Sequence, residues 1–440
     1  MESWTSWIDL PELALIRVFQ SLDYIDRVKA AHVSQKWYQV MHSPALWRKW
    51  TFTFCERRTR LQKSYTESAI WCAQKFGKYV EHLEIIFLNS YSTKLTKKFQ
   101  VTLRTLLACI GKQNTGLKSL TISYLGFNCV GWLYSIINRV LRSLTFFLRR
   151  RDKHLQYFRM RDAGLRTEQG CAILASLCHQ RESSSVKELD IIDFFGHHIS
   201  VYANPLFVQT LSKFQNLSVL SLNYCCISDD VLNTLSQKCS QSLLVLRIKC
   251  HIYDAHQQIV SGIAWSNLTK NAPNLSVRFY FAKMVRYDCL TRILAHQIPL
   301  ESLYLLTGNF NEPNWKLKST LTELIPTFKC KLQKLTVVLN NRYEPLDSEL
   351  LHLALVCKNL YYLKIWAYVG IRLIEDLLQL KQDGESNLSI LKVREEFWAR
   401  IYTHSQNKSD EEKLLQEIVS KYLGLIDEEK SYFHIAETMM

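Results

Sequence analysis

From residue 80 onward the chain repeats one pattern, in which an apolar residue is followed three and five positions later by two more. Apolar positions that alternate with polar ones are typical of a short strand with one buried face. Between the copies lie helix-like segments, one of which begins at Asp229 as its expected N-cap. The copies are Val80/Leu83/Ile85, Leu117/Leu120/Ile122, Leu155/Phe158/Met160, Val186/Leu189/Ile191, Leu217/Leu220/Leu222, Leu243/Leu246/Ile248, Leu300/Leu303/Leu305, Leu332/Leu335/Val337, Leu360/Leu363/Ile365 and Leu388/Leu391/Val393, with a weaker copy at Leu275 that Arg278 interrupts.

The copies begin about 25 to 38 residues apart, a spacing found in solenoid repeats that each carry a strand and a helix. One such repeat cannot bury its own apolar face, so neighbouring repeats must stack on each other. A doubly wound α/β fold would favour Gly-rich turns after its strands, and no Gly-x-Gly occurs here. We therefore predict an α/β horseshoe over residues 80–399, with strands on the concave side, a helical junction over 51–79 and a closing helical segment over 400–440.

Residues 1–50 predict three short helices. Pro11 suits the first turn of one helix, Asp23 suits an N-cap, and Ser43-Pro44 suits the start of the last helix. Helices this short cannot bury all of their large aromatic side chains among themselves. They must therefore either cap the following repeats or bind another protein.

The N-terminal segment resembles an F-box. The residues that carry the resemblance are Leu10-Pro11-Glu12-Leu13, Leu22-Asp23, Lys36-Trp37 and Leu46-Trp47-Arg48, at the family's spacing. Lys36 departs from the usual Arg and so lacks a planar guanidinium. Together with the repeats, the chain is similar to F-box proteins with divergent leucine-rich repeats.

This resemblance implies a function and a partner. Proteins of this family bind the adaptor Skp1 and, through it, a cullin-RING core, and they serve as substrate-recognition subunits of SCF ubiquitin ligases. The positions that the resemblance assigns to Skp1 contact are Leu10, Pro11, Leu13, Phe19, Leu22, Val33, Trp37, Leu46 and Trp47.

On each repeat strand, the residues beside the apolar triplet face the concave side. In the early strands these residues are mixed and mildly acidic, whereas the later strands carry cations and aromatic rings. Such a set suits an acidic or phosphorylated peptide, so we expect protein cargo there. The residues are Arg247, Lys249, Tyr304, Lys334, Tyr362, Lys364, Trp366, Lys392 and Arg394.

Motifs for catalysis or cofactor binding are missing from the sequence. The 13 Cys include no Cys-x-x-Cys pair, so we expect reduced thiols rather than disulfides or a zinc ribbon. Cys250, His251, Asp254 and His256 form the most metal-like cluster, which we interpret as a polar loop after a strand. We expect a non-catalytic protein with no metal and no cofactor.

The net charge of +15 favours acidic partners. The basic clusters, at Arg57–Arg60, Lys97–Lys98 and Arg149–Arg151, are short and dispersed, which argues against nucleic-acid recognition. A non-catalytic scaffold or polyanion binder that delivers no cargo remains the alternative. Because no signal peptide begins the chain and Arg139 and Arg142 interrupt its most apolar stretch, we expect a cytoplasmic or nuclear protein without membrane helices.

Overall fold

The computed structural model describes residues 7, 10–55, 63–88, 91–150, 154–178, 184–307, 315–341, 344–393, 417, 418, 420 and 421. The chain forms two compact units. One comprises Met1–Leu222 with Gln237–Leu243, and the other comprises Asn223–Ser236 with Leu244–Met440. The Arg57–Arg60 cluster, Arg394 and most of the predicted closing segment lie outside the described residues.

The first unit opens with short helices and continues as alternating strands and helices. Its helices are α1 (Glu12–Gln20), α2 (Tyr24–Ala30), α3 (Gln35–Val40), α4 (Lys63–Phe76), α5 (Thr93–Gln113), α6 (Tyr134–Arg149), α7 (Thr167–Ser176) and α8 (Pro205–Leu211). Its strands are β1 (Lys49–Phe54), β2 (His82–Phe87), β3 (Ser119–Ser123), β4 (Tyr157–Arg161), β5 (Glu188–Asp190) and β6 (Val219–Asn223). Each of these strands pairs in parallel with the next.

The N-terminal helices begin where the sequence supplies caps. The Asp23 carboxylate accepts hydrogen bonds from the backbone N–H groups of Ile25 and Asp26, as its predicted N-cap role requires. The predicted second helix is in fact two helices, because the Ser34 hydroxyl accepts a hydrogen bond from Trp37 N and caps α3. Pro44–Leu46 forms only a 3₁₀ turn.

Strand β1 precedes the first predicted repeat. It pairs in register with β2, and its alternate residues Trp50, Phe52 and Phe54 are buried. The prediction of a purely helical junction over residues 51–79 misses this strand. The period of two in Trp50-Thr51-Phe52-Thr53-Phe54 is the signal that would have revealed it.

The second unit continues the alternation. Its strands are β7 (Val245–His251), β8 (Ser276–Ala282), β9 (Leu300–Leu306), β10 (Lys334–Val338), β11 (Tyr362–Trp366) and β12 (Ile390–Val393), again paired in parallel with their sequence neighbours. Its helices are α9 (Asp229–Lys238), α10 (Gly262–Asn271), α11 (Tyr287–Ile293), α12 (Asp347–Val356) and α13 (Ile371–Gln382), with a mixed helical segment formed by Leu317–Ser319, Thr320–Leu324 and Ile325–Phe328. Ser228, not Asp229, caps α9: its hydroxyl accepts from Val231 N, while the Asp229 carboxylate accepts from Ser261 N in the next repeat.

The second and third positions of the predicted triplets lie on the strands, apart from Ile191, and every triplet residue except Leu391 and Val393 is buried. The predicted α/β repeat fold is confirmed. The weak copy at Leu275 is a regular strand, β8. Val277, Phe279 and Phe281 are buried and Arg278 points to the other face. The pattern is interrupted because Val277, the register partner of Leu246, follows Leu275 by two positions instead of three.

Asparagine side chains join successive repeats at the entrances to the strands. The Asn114 amide donates to the carbonyl oxygens of Gly77 (2.8 Å) and Val80 (2.6 Å) in the preceding repeat. Asn216, Asn359 and Asn387 donate in the same way to carbonyls about 30 residues earlier. Backbone groups that the helix-to-strand turns leave unpaired are satisfied by these contacts.

The last repeat of the second unit packs against a short described part of the C-terminal segment. Ile418 is buried against Ile374 and Leu378 of α13, and Leu391 and Val393 of β12 pack on the same cluster. Lys421 forms a 2.8 Å ion pair with Glu375. Of the helices in the described part of the chain, none is both long and apolar enough to cross a bilayer.

Candidate partner-docking surfaces

Arg27 holds the N-terminal helices together. Its guanidinium donates to the carbonyl oxygens of Phe19 (2.8 Å) and Gln20 (3.1 Å) at the end of α1, and also to the carbonyl oxygen of Leu46. Carbonyls in the last turn of a helix lack their usual partner within that helix, so Arg27 supplies donors to them. Leu22 N also donates to Phe19 O (3.2 Å). Burial lowers the pKa of Arg27, and Asp23 opposes that shift.

Three residues assigned to Skp1 contact are buried in this packing. Trp47 is 1% exposed, its indole N–H donates to Met41 O, and its ring stacks on Phe76 of α4 with centroids 4.2 Å apart. Phe19 and Leu46 are buried as well, and Phe19 meets the edge of the Trp37 ring. Their burial places Phe19, Leu46 and Trp47 in the core that supports the helices rather than on a surface that a partner could touch.

The other predicted contact residues remain accessible. Leu13 is 77% exposed, Val33 is 60% exposed, and Pro11 is also exposed. Leu10, Leu22 and Trp37 are half-buried. Large apolar side chains left in water are typical of a surface that binds another protein.

The strand face of the second unit brings together the predicted cargo residues. Strand pairing aligns Lys249 with Tyr280, Tyr280 with Tyr304, and Tyr304 with Thr336. The same row continues through Lys364 to Lys392. Neighbouring strands are about 4.8 Å apart, so each side chain lies beside the next across the sheet.

Two further rows flank this one. Arg247 aligns with Arg278, and further along the sheet Lys334 aligns with Tyr362. On the other side, Trp366 aligns with Val338. Arg394, the remaining predicted cargo residue, lies outside the described residues.

On this face, two lysine ammonium groups lie over aromatic rings. The Lys364 ammonium lies 4.0 Å from the centre of the Trp366 ring, and the Lys392 ammonium lies 5.9 Å from that of Tyr362. Cation–π contacts of this kind orient an ammonium group without neutralising its charge. The face can therefore offer both positive charge and flat apolar surface to a ligand.

The metal-like cluster has a structural explanation within the second unit. Cys250 is buried on the inner face of β7, and burial raises the pKa of its thiol well above the usual value. Asp254 is also buried, and its carboxylate accepts from the Asn223 amide (2.8 Å) and from His251 N (3.2 Å). His256 bonds through Nδ1 to the carbonyl oxygen of Asp254. The interpretation of this cluster as a polar loop stays a prediction.

Comparison with known proteins assigns the N-terminal helices. The F-box-like family model matches residues 7–53. The chain carries an F-box-like domain. It is also similar to F-box/LRR-repeat protein 21 of Bos taurus, with 26% identity over 361 residues that cover 80% of this chain and 75% of the relative. The proteins of the same name from Mus musculus and Ovis aries are 24% and 25% identical, with the same shares covered.

The chain thus combines a match to the F-box-like model at its N-terminus with strand–helix repeats, and it is similar to proteins named for an F-box and leucine-rich repeats. The leucine-rich-repeat fold class predicted from the apolar triplets is thereby confirmed.

Sequence reasoning left three residues of these segments out of the predicted contacts: exposed Trp7, half-buried Arg278 and buried Tyr280. Trp7, with 68% of its surface exposed, is an apolar residue of the F-box-like domain that lies in solvent. On the strand face of the second unit, Arg278 and Tyr280 were missed because Arg278 was interpreted as an interruption. The Tyr280 ring lies 4.5 Å from that of Tyr304, a contact that only strand register reveals.

Proposed function

We propose that this protein is the substrate-recognition subunit of an SCF-type ubiquitin ligase, with no catalytic step of its own, in the cytoplasm or the nucleus. The F-box-like domain would bind Skp1 and thereby a cullin-RING core, and the repeats would hold protein cargo. The observation that carries the proposal is the match of residues 7–53 to the F-box-like family on helices that leave apolar side chains in solvent. Segments such as Leu95–Thr102 and Leu363–Ala367 resemble F-box only protein 39, and we propose that subgroup for this chain.

The proposed Skp1 surface consists of Leu10, Pro11, Leu13, Leu22, Val33 and Trp37. Removing Leu13 or Val33 from water would stabilise the complex by the hydrophobic effect, on the order of 1.5–3 kcal/mol for each fully buried side chain. Phe19, Leu46 and Trp47 would act indirectly, by holding the helices in place.

Co-purification tests the adaptor assignment. The double variant Leu13→Asp/Val33→Asp should lose about 90% or more of its co-purifying Skp1, because two charges would have to be desolvated at the interface. The cullin should be lost in proportion, since it binds through Skp1. Both substituted positions are exposed, so the thermal melting curve should remain that of the wild type.

Val18→Asp is the matched control. It introduces the same charge at another exposed position of α1, and it should leave Skp1 recovery unchanged. Equal recovery of Skp1 with the wild type and the double variant would refute the proposed surface. If no Skp1 is recovered even with the folded wild type, the ligase proposal itself is wrong.

The proposed cargo surface is the strand face of the second unit. Lys334, Lys364 and Lys392 give it positive charge, and Tyr304, Tyr362 and Trp366 give it aromatic surface. Charge-assisted hydrogen bonds to carboxylate or phosphate groups are stronger than neutral ones, and aromatic anchors dominate many protein interfaces. An acidic or phosphorylated segment with apolar residues fits this combination.

Quantitative ubiquitin-remnant proteomics tests the cargo surface. Cells expressing Lys364→Glu/Trp366→Ala should lose the ubiquitylation sites that depend on the wild type, while Skp1 recovery stays unchanged. Lys329→Glu is the control, because it reverses one exposed charge away from the strands. An unchanged set of dependent sites in the folded double variant would exclude this face as the cargo surface.

A further inference from the structure

Helices α5 and α6 enclose a groove of about 530 Å³ on the helical side of the first unit. Its floor contains Leu107 and Phe147, both buried, and Gly111. A Cβ atom at Gly111 would lie 3.6 Å from the Phe147 ring, so the glycine leaves space for one more carbon in that position. Phe146 lines the groove with 61% of its surface exposed.

Four basic side chains surround this apolar floor. Arg104 and Lys112 lie before and after the lining residues of α5, and Arg142 and Arg150 lie before and after those of α6. Each pair is eight residues apart, about 12 Å along a helix axis. Of the described residues, those that line the groove include no Asp or Glu.

The Arg150 guanidinium lies 4.4 Å from the centre of the Phe146 ring. Stacking of this kind uses the face of the guanidinium and leaves its N–H groups directed outward at the edge. The side chain can therefore hold a carboxylate while it covers the aromatic ring.

We propose that the groove between α5 and α6 is a docking site for a short acidic segment of another protein. One or two apolar side chains of that segment would occupy the groove, and carboxylates before and after them would meet the four cations. Charge complementarity selects an acidic ligand, since all four ionic groups at the rim are positive. A 12 Å span corresponds to about two turns of a helix.

The distribution of the cations distinguishes this occupant from a fatty acid or phospholipid. A lipid has its charge at one end, so cations at one end of the groove would be enough to bind it. Here each helix carries a cation at both ends of its apolar stretch. This arrangement fits a segment with acidic residues on both sides of its apolar anchor. The site is independent of the proposed ligase function.

Peptide display on the full-length protein tests the proposal. We expect selection from a random 12-residue library to enrich peptides in which Asp or Glu flank Leu, Phe or Trp on both sides. Biolayer interferometry should then show that Arg104→Glu/Arg142→Glu weakens these peptides about tenfold or more, by replacing attraction with repulsion. Phe146→Ala should weaken them to a similar extent by removing the aromatic wall.

Arg139→Glu is the matched control, because it reverses an exposed charge on α6 that does not line the groove. It should leave peptide affinity within about twofold of the wild type. All four substituted residues are exposed, and far-UV circular dichroism with melting curves checks that each variant folds.

Three outcomes would overturn the proposal. Selection could return no binding peptides, or peptides without flanking acidic residues. The selected peptides could bind the groove variants as tightly as the wild type. Finally, phosphatidylserine vesicles could bind the wild type and lose binding to the groove variants while no peptide competes, which would assign the groove to lipid instead.

Discussion

Arg27 determines more of the F-box-like domain than its position in the sequence indicates. One guanidinium satisfies carbonyls of Phe19, Gln20 and Leu46, and it lies 5.7 Å from the centre of the buried Trp47 ring. A lysine has one ammonium group and cannot reach three carbonyls on two separate segments with fixed geometry. The accessible positions of Leu13 and Val33 therefore depend on a side chain that has no place in the resemblance to the F-box.

Arg27→Lys should destabilise the N-terminal helices by about 2 kcal/mol, since two of the charge-assisted hydrogen bonds to main-chain carbonyls would be lost. Hydrogen exchange measured by mass spectrometry should show faster exchange in residues 12–47, with little change in the repeats of the second unit. Lys29→Arg is the control, because Lys29 is exposed and pairs only with Asp26 in the described structure. Unchanged protection in Arg27→Lys would mean that apolar packing alone holds the helices.

His82 is a second single residue with a predictable effect, because it makes the free energy of unfolding depend on pH. Burial lowers the pKa of His82, and Lys49, its register partner on β1, lowers it further. The unfolded chain therefore binds a proton at higher pH than the folded chain. Stability should fall as the pH drops below about 6.5, the ordinary histidine value, and the loss should end below the folded pKa.

Urea unfolding of wild type and His82→Gln between pH 5 and 7.5 measures this contribution. Both proteins should lose stability towards pH 5, but the wild type should lose more. Identical pH profiles would show that His82 titrates alike in the folded and unfolded chains.

At the scale of the element, the sequence predicts strands well because each triplet reports the burial of alternate residues directly. Leu120, Leu220 and Leu335 are all fully buried in strands where the triplets place them. β1 was missed although its local alternation predicts it, whereas some helix boundaries depend on contacts that no local pattern contains. The cap at Ser228 is an example, since Asp229 is free to bond Ser261 only when the next repeat is in place.

The candidate sites were predictable to a smaller extent. The resemblance located the F-box-like helices but could not separate exposed Leu13 from buried Trp47, because both are large and apolar. The alternation of apolar and polar residues identified which strand residues of the second unit point away from the buried core. No sequence pattern predicted the groove between α5 and α6, since the groove depends on how two helix faces that are distant in sequence meet.

Asn114→Ala should lower the free energy of unfolding by about 1–3 kcal/mol, because the Val80 carbonyl would lose the Asn114 amide donor and the Gly77 carbonyl would keep the 3.4 Å bond from Val80 N. Asn114 is 1% exposed, whereas Asn387, which makes the equivalent bond to Lys358 O, is exposed to water. Asn387→Ala should therefore cost less than about 1 kcal/mol, since water can replace the amide. Chemical denaturation of both variants measures the two losses in the free energy of unfolding. Equal losses would show that the burial of the asparagine does not determine its contribution.

At the scale of the whole molecule, some of the basic side chains are already paired with carboxylates. On the strand face of the first unit, Arg159 and Arg161 both pair with Asp190, at 2.9 Å and 2.6 Å. In the second unit, Arg278 pairs with Glu301 at 3.1 Å. Cations that already have carboxylate partners gain little from a polyanion, so the net charge of +15 overstates the positive surface open to one.

Because part of the positive charge is already paired, the salt dependence of RNA binding can distinguish a cargo receptor from a polyanion-binding scaffold. A protein that neutralises few phosphates has a shallow dependence of affinity on salt, so log K for single-stranded RNA should fall against log salt with a slope of about 2 or less in magnitude. Fluorescence anisotropy with a labelled oligonucleotide of random sequence, in 50 and 200 mM KCl, measures the slope. Lys364→Glu/Lys392→Glu should weaken RNA binding at 50 mM but leave Skp1 recovery unchanged.

Skp1 recovery should persist at 200 mM KCl, because the proposed contacts of Leu13 and Val33 are apolar and screening acts only on charges. A steep slope, of about 5 or more, together with tight RNA binding at 200 mM and no recovery of Skp1, would favour the scaffold instead. The two functions therefore differ in which association survives when electrostatic attraction is screened, and a single salt titration with both ligands decides between them.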